Sequence, residues 1–278
     1  MATQTTPLIT LNDKSTIPQL GYGVWQVPDA EAEKVVQEAL RVGYTHIDTA
    51  AIYQNEVGVG KALKAAGLPR EKTYITTKLW NEDQGYDKAF KALDASLAKL
   101  DLEYVDLYLI HWSSPHRGLF TDSWKALVEM KKQGRVKSIG VSNFMPEHLE
   151  RIIDATGVVP VLNQIELHPK FQQKELRAFH EKHGIVTECW SPLGQGQLLT
   201  DPVISAIAQK HNKSAAQVII RWHLDNKFVV IPKSVTPSRI KENFDVFDFA
   251  LDADDLKKIA ALDSSEGRIG PNPLTAPF

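Results

Sequence analysis

The chain carries a single cysteine, Cys189, so it has neither an intramolecular disulfide nor a cysteine-rich zinc site. A reducing compartment is the expectation. No apolar run approaches the roughly 18 residues of a membrane-spanning helix. Neither sign of charge dominates: 32 Lys and Arg stand against 34 Asp and Glu, a net charge of −2, which argues against a general nucleic-acid binder or a polybasic membrane protein. The familiar nucleotide loops are missing as well. Gly58-Val-Gly60 runs on into Lys61-Ala-Leu63, and Gly194-Gln-Gly196 into Gln197-Leu-Leu199, so neither completes G-x-G-x-x-G, and the first sits inside a helical pattern. No G-x-x-x-x-G-K-[ST] occurs. The N-terminal residues 1–7 hold neither the basic nor the apolar region of a signal peptide, and the sequon at Asn212-Lys-Ser matters only in a secreted protein. The expected location is the cytoplasm.

What is present is an alternation. The 278 residues are 43% hydrophobic and 24% charged, ordinary globular values, and the length suits one closed α/β barrel over residues 1–278. Short runs rich in Val, Ile, Tyr and Thr lie at 19–24, 45–49, 73–79, 105–112, 136–143, 161–168, 185–192 and 228–233, each reading as a buried strand. Helical patterns at 29–42, 87–100, 122–132, 146–154, 173–183, 202–211 and 214–225 separate them. The first of these carries an Asp cap signal at Asp29. Strand and helix alternating eight times predict a (β/α)8 TIM barrel in preference to a doubly wound sheet. Residues 8–11 and 15–18, flanking Asn12-Asp13-Lys14, read as a β-hairpin closing the barrel's N-terminal end, its bottom.

In such a barrel the site lies where strands end. Seven of the eight strand ends carry polar or ionisable groups inside apolar flanks, which is costly to bury without a purpose. Asp48 and Lys78 fall on adjacent strands, and taken alone they read as a structural ion pair. Tyr53 alone is a packed aromatic, and His111 alone a core histidine. Together they place an acid, a lysine, a phenol and an imidazole at one mouth. A phenol with a pKa of about 10 is a poor acid at neutrality, and a nearby ammonium is expected to lower it. The result is a proton donor for a reacting oxygen. Four of the six tryptophans, Trp25, Trp80, Trp112 and Trp190, also sit near strand ends and suggest an aromatic-walled pocket, whereas Trp124 and Trp222 look like packing. Lys233, Ser234 and Arg239 could hold a phosphate or form a solvated surface. His180 and His183 lack a third ligand, so they read as surface residues and no metal is expected. Cys189 alternates away from Trp190 and reads as packing.

These residues resemble the aldo-keto reductase family. The likeness is carried by Gly43-Tyr-Thr-His-Ile-Asp48-Thr-Ala-Ala-Ile-Tyr53-Gln-Asn-Glu56, Ile75-Thr-Thr-Lys78-Leu-Trp80, Val105-Asp-Leu-Tyr-Leu-Ile-His111-Trp112, Ser138-Ile-Gly-Val-Ser142-Asn143-Phe144, Leu162-Asn-Gln164-Ile-Glu-Leu-His168-Pro169 and Ile231-Pro-Lys233-Ser234. Leu193-Gly-Gln-Gly196 and the run from Glu242 to Phe249 look most like the prokaryotic branch that contains 2,5-diketo-D-gluconic acid reductases and α-ketoaldehyde reductases.

The resemblance implies an NADPH-dependent carbonyl reductase. It implies a catalytic tetrad of Asp48, Tyr53, Lys78 and His111, with Tyr53 as the general acid. It assigns Ser142, Asn143 and Gln164 to the nicotinamide carboxamide and Trp190 to the stacking position. Ser191, Leu193, Gly194 and Gly196 would lie along the pyrophosphate. Lys233, Ser234 and Arg239 would take the 2′-phosphate, with Glu242 and Asn243 at the adenine end. Trp25, Trp80 and Trp112 would wall the pocket of a small carbonyl substrate, an α-dicarbonyl or keto-sugar. The short connection after Trp112 and the tail ending at Phe278 favour a small, open pocket. The family default is a monomer with neither nucleic-acid nor membrane partners. Two other readings remain: a cofactor-binding regulatory module with little turnover, and a barrel enzyme using Lys78 as a Schiff-base nucleophile, which an adjacent Asp48 disfavours.

Overall fold

The computed structural model describes residues 6–278; the first five residues, part of the stretch in which no leader was read, lie outside them. Leu8–Thr10 (β1) and Thr16–Pro18 (β2) pair antiparallel as the expected hairpin. Eight short strands follow: Tyr22–Gly23 (β3), His46–Asp48 (β4), Tyr74–Leu79 (β5), Val105–Ile110 (β6), Val136–Ser142 (β7), Leu162–Glu166 (β8), Val186–Trp190 (β9) and Val229–Val230 (β10). They pair parallel in chain order, and the circle is completed where Leu20 bridges Val230. There Gly21 donates its N–H to Val230 O at 2.9 Å. A side chain at Gly21 would meet His46 Nδ1 at 2.5 Å, so the closing seam requires glycine.

The crossover helices are Asp29–Val42 (α1), Glu56–Ala66 (α2), Tyr86–Leu100 (α3), Phe120–Lys132 (α4), Pro146–Thr156 (α5), Lys174–His183 (α6), Pro202–His211 (α7) and Ala215–Asp225 (α8). Pro237–Phe244 (α9) follows the last strand, and Ala253–Ala260 (α10) packs outside the repeat. Their apolar stripes cover the barrel wall: Val35, Val36 and Ala39 on α1 and Leu93, Leu97 and Leu100 on α3 are buried in one continuous core. Among the described residues, no helix is long and apolar enough to cross a membrane.

Three local details correct or sharpen the sequence reading. Asp29 does not cap its own helix: the cap position is Pro28, and the Asp29 carboxylate instead accepts the Gly58 N–H at 2.7 Å. The incomplete fingerprint Gly58-Val-Gly60 is a crossing point inside α2. A Cβ at Gly58 would stand 2.5 Å from Asp29 O, and one at Gly60 2.5 Å from Leu100 O, so the glycines let α2 touch α1 and the end of α3. His180 is buried: its ring bonds Asn163 Nδ2 at 3.0 Å and Thr187 Oγ1 at 2.9 Å, tying α6 to β8 and β9.

The hairpin plugs the bottom of the barrel. Leu11 and Ile17 bury themselves among Leu107, Leu109, Val161, Leu162 and Val229. The turn is pinned by Asp13, which accepts from Ser138 Oγ at 2.7 Å and from Lys131 Nζ at 2.5 Å. With the bottom sealed, the polar strand ends are left at the open, C-terminal face.

Candidate active site

Asp48 closes β4 and Lys78 lies near the end of β5, side by side because the two strands pair in parallel register. The Lys78 ammonium donates to Asp48 Oδ1 at 2.6 Å and to Thr49 O at 2.8 Å. Both side chains are almost wholly buried. Burial alone would strip the lysine of its proton; the Asp48 charge and hydrogen bond outweigh that and raise its pKa. Lys78 Nζ stands 5.1 Å from the centre of the Tyr53 ring. The Tyr53 ring meets His111 edge-on at 5.6 Å, and Trp80 meets His111 at 5.3 Å. Burial and the Lys78 charge push the His111 imidazole well below its usual range, so it is neutral. Burial also lifts the Tyr53 phenol above its ordinary value while Lys78 pulls it down. The lysine does pull the phenol down as expected, but burial outweighs it, and the phenol stays protonated at neutral pH.

Beneath this group sits an acid that the strand-end reading passed over. Glu188 on β9 is fully buried inside the barrel. Its Oε2 and Asp48 Oδ2 accept from the same Gln164 Nε2, at 2.9 and 2.8 Å. Burial and the Asp48 charge push the Glu188 carboxyl up to about 8, and burial raises Asp48 as well, against the pull of Lys78. His46, Asp48 and Glu188 could reach a common ion. Asp48 already holds the Lys78 ammonium, however, and a metal there would lie against a fixed positive charge.

A cavity of about 1120 Å³ opens above these groups. Asp48, Tyr53, His111, Trp25, Trp80 and Trp112 line one end, and Lys233, Ser234, Arg239, Glu242 and Asn243 the other. Trp190 forms the wall between them, its indole N–H donated to Asn143 Oδ1 at 2.8 Å. Asn143 takes the left-handed conformation (φ 59°) and gives its own N–H groups to His111 O and Ser142 Oγ, both at 3.1 Å. Lys233 and Arg239 are exposed and make no ion pair among the described residues. An aromatic wall, a fixed amide and two uncommitted cations at the far end suit an elongated anionic ligand such as a phosphorylated dinucleotide, and the donor set fits NADPH.

The cavity collects every expected site residue except Lys78, Ser142 and Gly194, which stand behind its wall. From there Lys78 is bonded to Asp48 and stands beneath the Tyr53 ring. Ser142 gives its hydroxyl to Gln164 O at 2.8 Å, and Gly194 is packed against Leu198. Sequence reasoning tied the C-terminal tail to the pocket but not its path, which crosses the cavity at Gly270 and Pro271. Glu166 at the end of β8 holds it, accepting from Ile269 N at 2.6 Å and Gly270 N at 2.9 Å. Burial pushes the Glu166 carboxyl up, and the donors His168, Ile269 and Gly270 more than reverse it. The expectation of an open pocket fails on one side. Phe278 stacks on Trp80 at 5.9 Å and meets Trp112 edge-on at 5.1 Å, while Ser114 Oγ donates to its carbonyl.

Comparison with known proteins agrees with this geometry. A model of the Aldo/keto reductase family matches residues 18–264. An aldo-keto reductase of Mycolicibacterium smegmatis is 56% identical over 272 residues, 98% of both chains. The methylglyoxal reductase DkgA of Escherichia coli is 54% identical over 268 residues, 96% of both chains. Among solved structures, a mutant of Gox0644 in complex with NADPH superposes with a TM-score of 0.96 at 55% identity, covering 99% of this chain and 100% of that one.

Proposed function

The chain belongs to the aldo/keto reductase family, and on that footing we propose that it reduces small aldehydes and ketones, α-dicarbonyls of the methylglyoxal type foremost, with NADPH. The observation that carries the reading is the convergence of Asp48, Lys78, Tyr53 and His111 on one end of the cavity.

Each side chain has a task its environment supports. NADPH, when bound, supplies the hydride for the carbonyl carbon. Tyr53 donates its proton to the carbonyl oxygen. Lys78, held charged by Asp48, stabilises the phenolate left behind. Neutral His111 faces the same space and orients the oxygen by hydrogen bonding. Trp25, Trp80 and Trp112 exclude water and hold the apolar body of the substrate. Gln164 and Asn143 would meet the carboxamide with Ser142 bracing them from behind, and Trp190 the ring. Ser191, Leu193, Gly194 and Gly196 would flank the pyrophosphate. Lys233, Ser234 and Arg239 would take the 2′-phosphate, with Glu242 and Asn243 beyond.

The Schiff-base alternative loses its footing, because Lys78 Nζ is buried and committed to Asp48 and Thr49. We place the protein in the cytoplasm as a single-domain monomer. Its one thiol, Cys189, is buried and pushed well above its ordinary pKa by burial, which suits a reducing compartment.

The test is loss of NADPH absorbance with methylglyoxal, phenylglyoxal, a nitrobenzaldehyde and 2,5-diketo-D-gluconate, alongside a light-scattering mass. Turnover with at least one of the small carbonyls is expected. Saturable NADPH binding without turnover on any of them would contradict the enzyme reading and favour a regulatory module.

A further inference from the structure

Glu188 is buried inside the barrel, touches no part of the cavity and takes no role in the proton transfer. It shares a face of β9 with Trp190, two residues on, and lies one layer below it. Its Oε2 accepts from Gln164 Nε2, and Asp48 Oδ2 accepts from the same nitrogen. Its Oε1 has no hydrogen-bond partner; the nearest basic atom is His46 Nε2, 3.9 Å away and engaged with Thr76 Oγ1. A side-chain amide carries two donors at one end and only an acceptor at the other. Between two carboxyl groups only the NH2 end of Gln164 is tolerated, so its carbonyl oxygen is the end left for the cavity that Gln164 lines.

The neighbouring amide is committed elsewhere: Asn143 Oδ1 accepts from the Trp190 indole N–H at 2.8 Å. The NH2 of Asn143 is spent on His111 O and Ser142 Oγ, and the Ser142 hydroxyl on Gln164 O. We propose that Glu188 is a positioning residue for cofactor recognition: with Asp48 it clamps the Gln164 amide, so that Gln164 presents an acceptor to the NH2 of the nicotinamide carboxamide. The clamp rests on the reductase reading of the site. It holds with Glu188 ionised, and with Glu188 neutral when the proton sits on Oε1, because Oε2 accepts in both cases.

The test is binding, read by quenching of tryptophan fluorescence without substrate. The probes are NADPH and its reduced 3-acetylpyridine analogue, in which a methyl group replaces the carboxamide NH2. The wild-type protein is expected to bind NADPH roughly tenfold more tightly than the analogue, the worth of one good hydrogen bond. Glu188→Leu removes the acceptor, so NADPH should weaken and the ratio fall towards one. Glu188→Gln keeps an acceptor oxygen and should keep the ratio. Unchanged NADPH affinity and an unchanged ratio in Glu188→Leu would overturn the clamp alone, as would loss of the ratio in Glu188→Gln. Failure of the wild-type protein to bind NADPH would overturn the reductase reading and the clamp with it. Should the leucine variant not fold, Gln164→Leu decides: a ratio that survives removal of the amide overturns the proposal.

Discussion

Gln164 Nε2 sits between two carboxyl groups, 2.8 Å from Asp48 Oδ2 and 2.9 Å from Glu188 Oε2, while Asp48 turns its other oxygen to Lys78 at 2.6 Å. One carboxylate thus joins two functions. It keeps Lys78 charged for the phenol above, and it takes part in fixing the amide that faces the cofactor.

The lysine is the first place to test this. Lys78→Met leaves Asp48 buried without its cation, a change that costs about 3–5 kcal/mol in such pairs. Urea unfolding should show that loss. Turnover at a temperature where the variant is still folded should drop by at least about 10²-fold, because the phenolate loses its counter-charge. A stable variant with normal turnover would remove Lys78 from the account.

On the proposed reading, the far end of the cavity sets the cofactor preference. Lys233 and Arg239 are exposed cations outside any ion pair among the described residues, so removing either should act on a ligand's charge and leave the fold intact. Lys233→Ala and Arg239→Ala should each weaken NADPH by roughly five- to tenfold and leave NADH within about twofold. Equal losses for both cofactors would move the 2′-phosphate elsewhere.

Glu188 also makes a pH-dependent contribution to stability. Its carboxyl is raised in the fold from 4.5 to about 8, by burial first and the Asp48 charge second. The groups facing it are His46 and Asp48 from β4, Lys78 from β5 and Gln164 from β8. Between those values the folded protein holds a proton that the unfolded chain has released. Its stabilising effect is therefore full below pH 4.5 and is lost as the pH rises through about 8. Glu188→Gln lacks the group and should lose less stability than wild type over that window. Parallel urea midpoints for the two proteins between pH 5 and 8.5 would contradict this assignment.

Much of this architecture was legible in the chain. The eight strands stand out because each is a short apolar run and seven of them end in polar residues, and α1 and α7 have the bounds their periodicity gives. One helix, α10, was not read as an element, and α2 was read only as a helical pattern around Gly58-Val-Gly60, each glycine being the small residue a helix crossing needs. In α10, the Asp252 cap signal lies outside the repeat that directed attention elsewhere. Strand ends led to the tetrad but not to Glu188, which is mid-strand. Its signal was an acid two residues from Trp190 on the inward face of a buried run. The Glu166 bond to Ile269 and Gly270 had no local signal, since it joins residues more than a hundred positions apart.

The most direct test of the central claim is Tyr53→Phe, measured for carbonyl-dependent NADPH oxidation and for NADPH affinity on the same sample. The substitution removes one hydroxyl from a half-buried ring and leaves the cofactor's contacts in place. Turnover should fall by about 10²–10⁴-fold, with the dissociation constant for NADPH within about twofold of wild type. A variant that keeps wild-type turnover would contradict the assignment of Tyr53 as the proton donor.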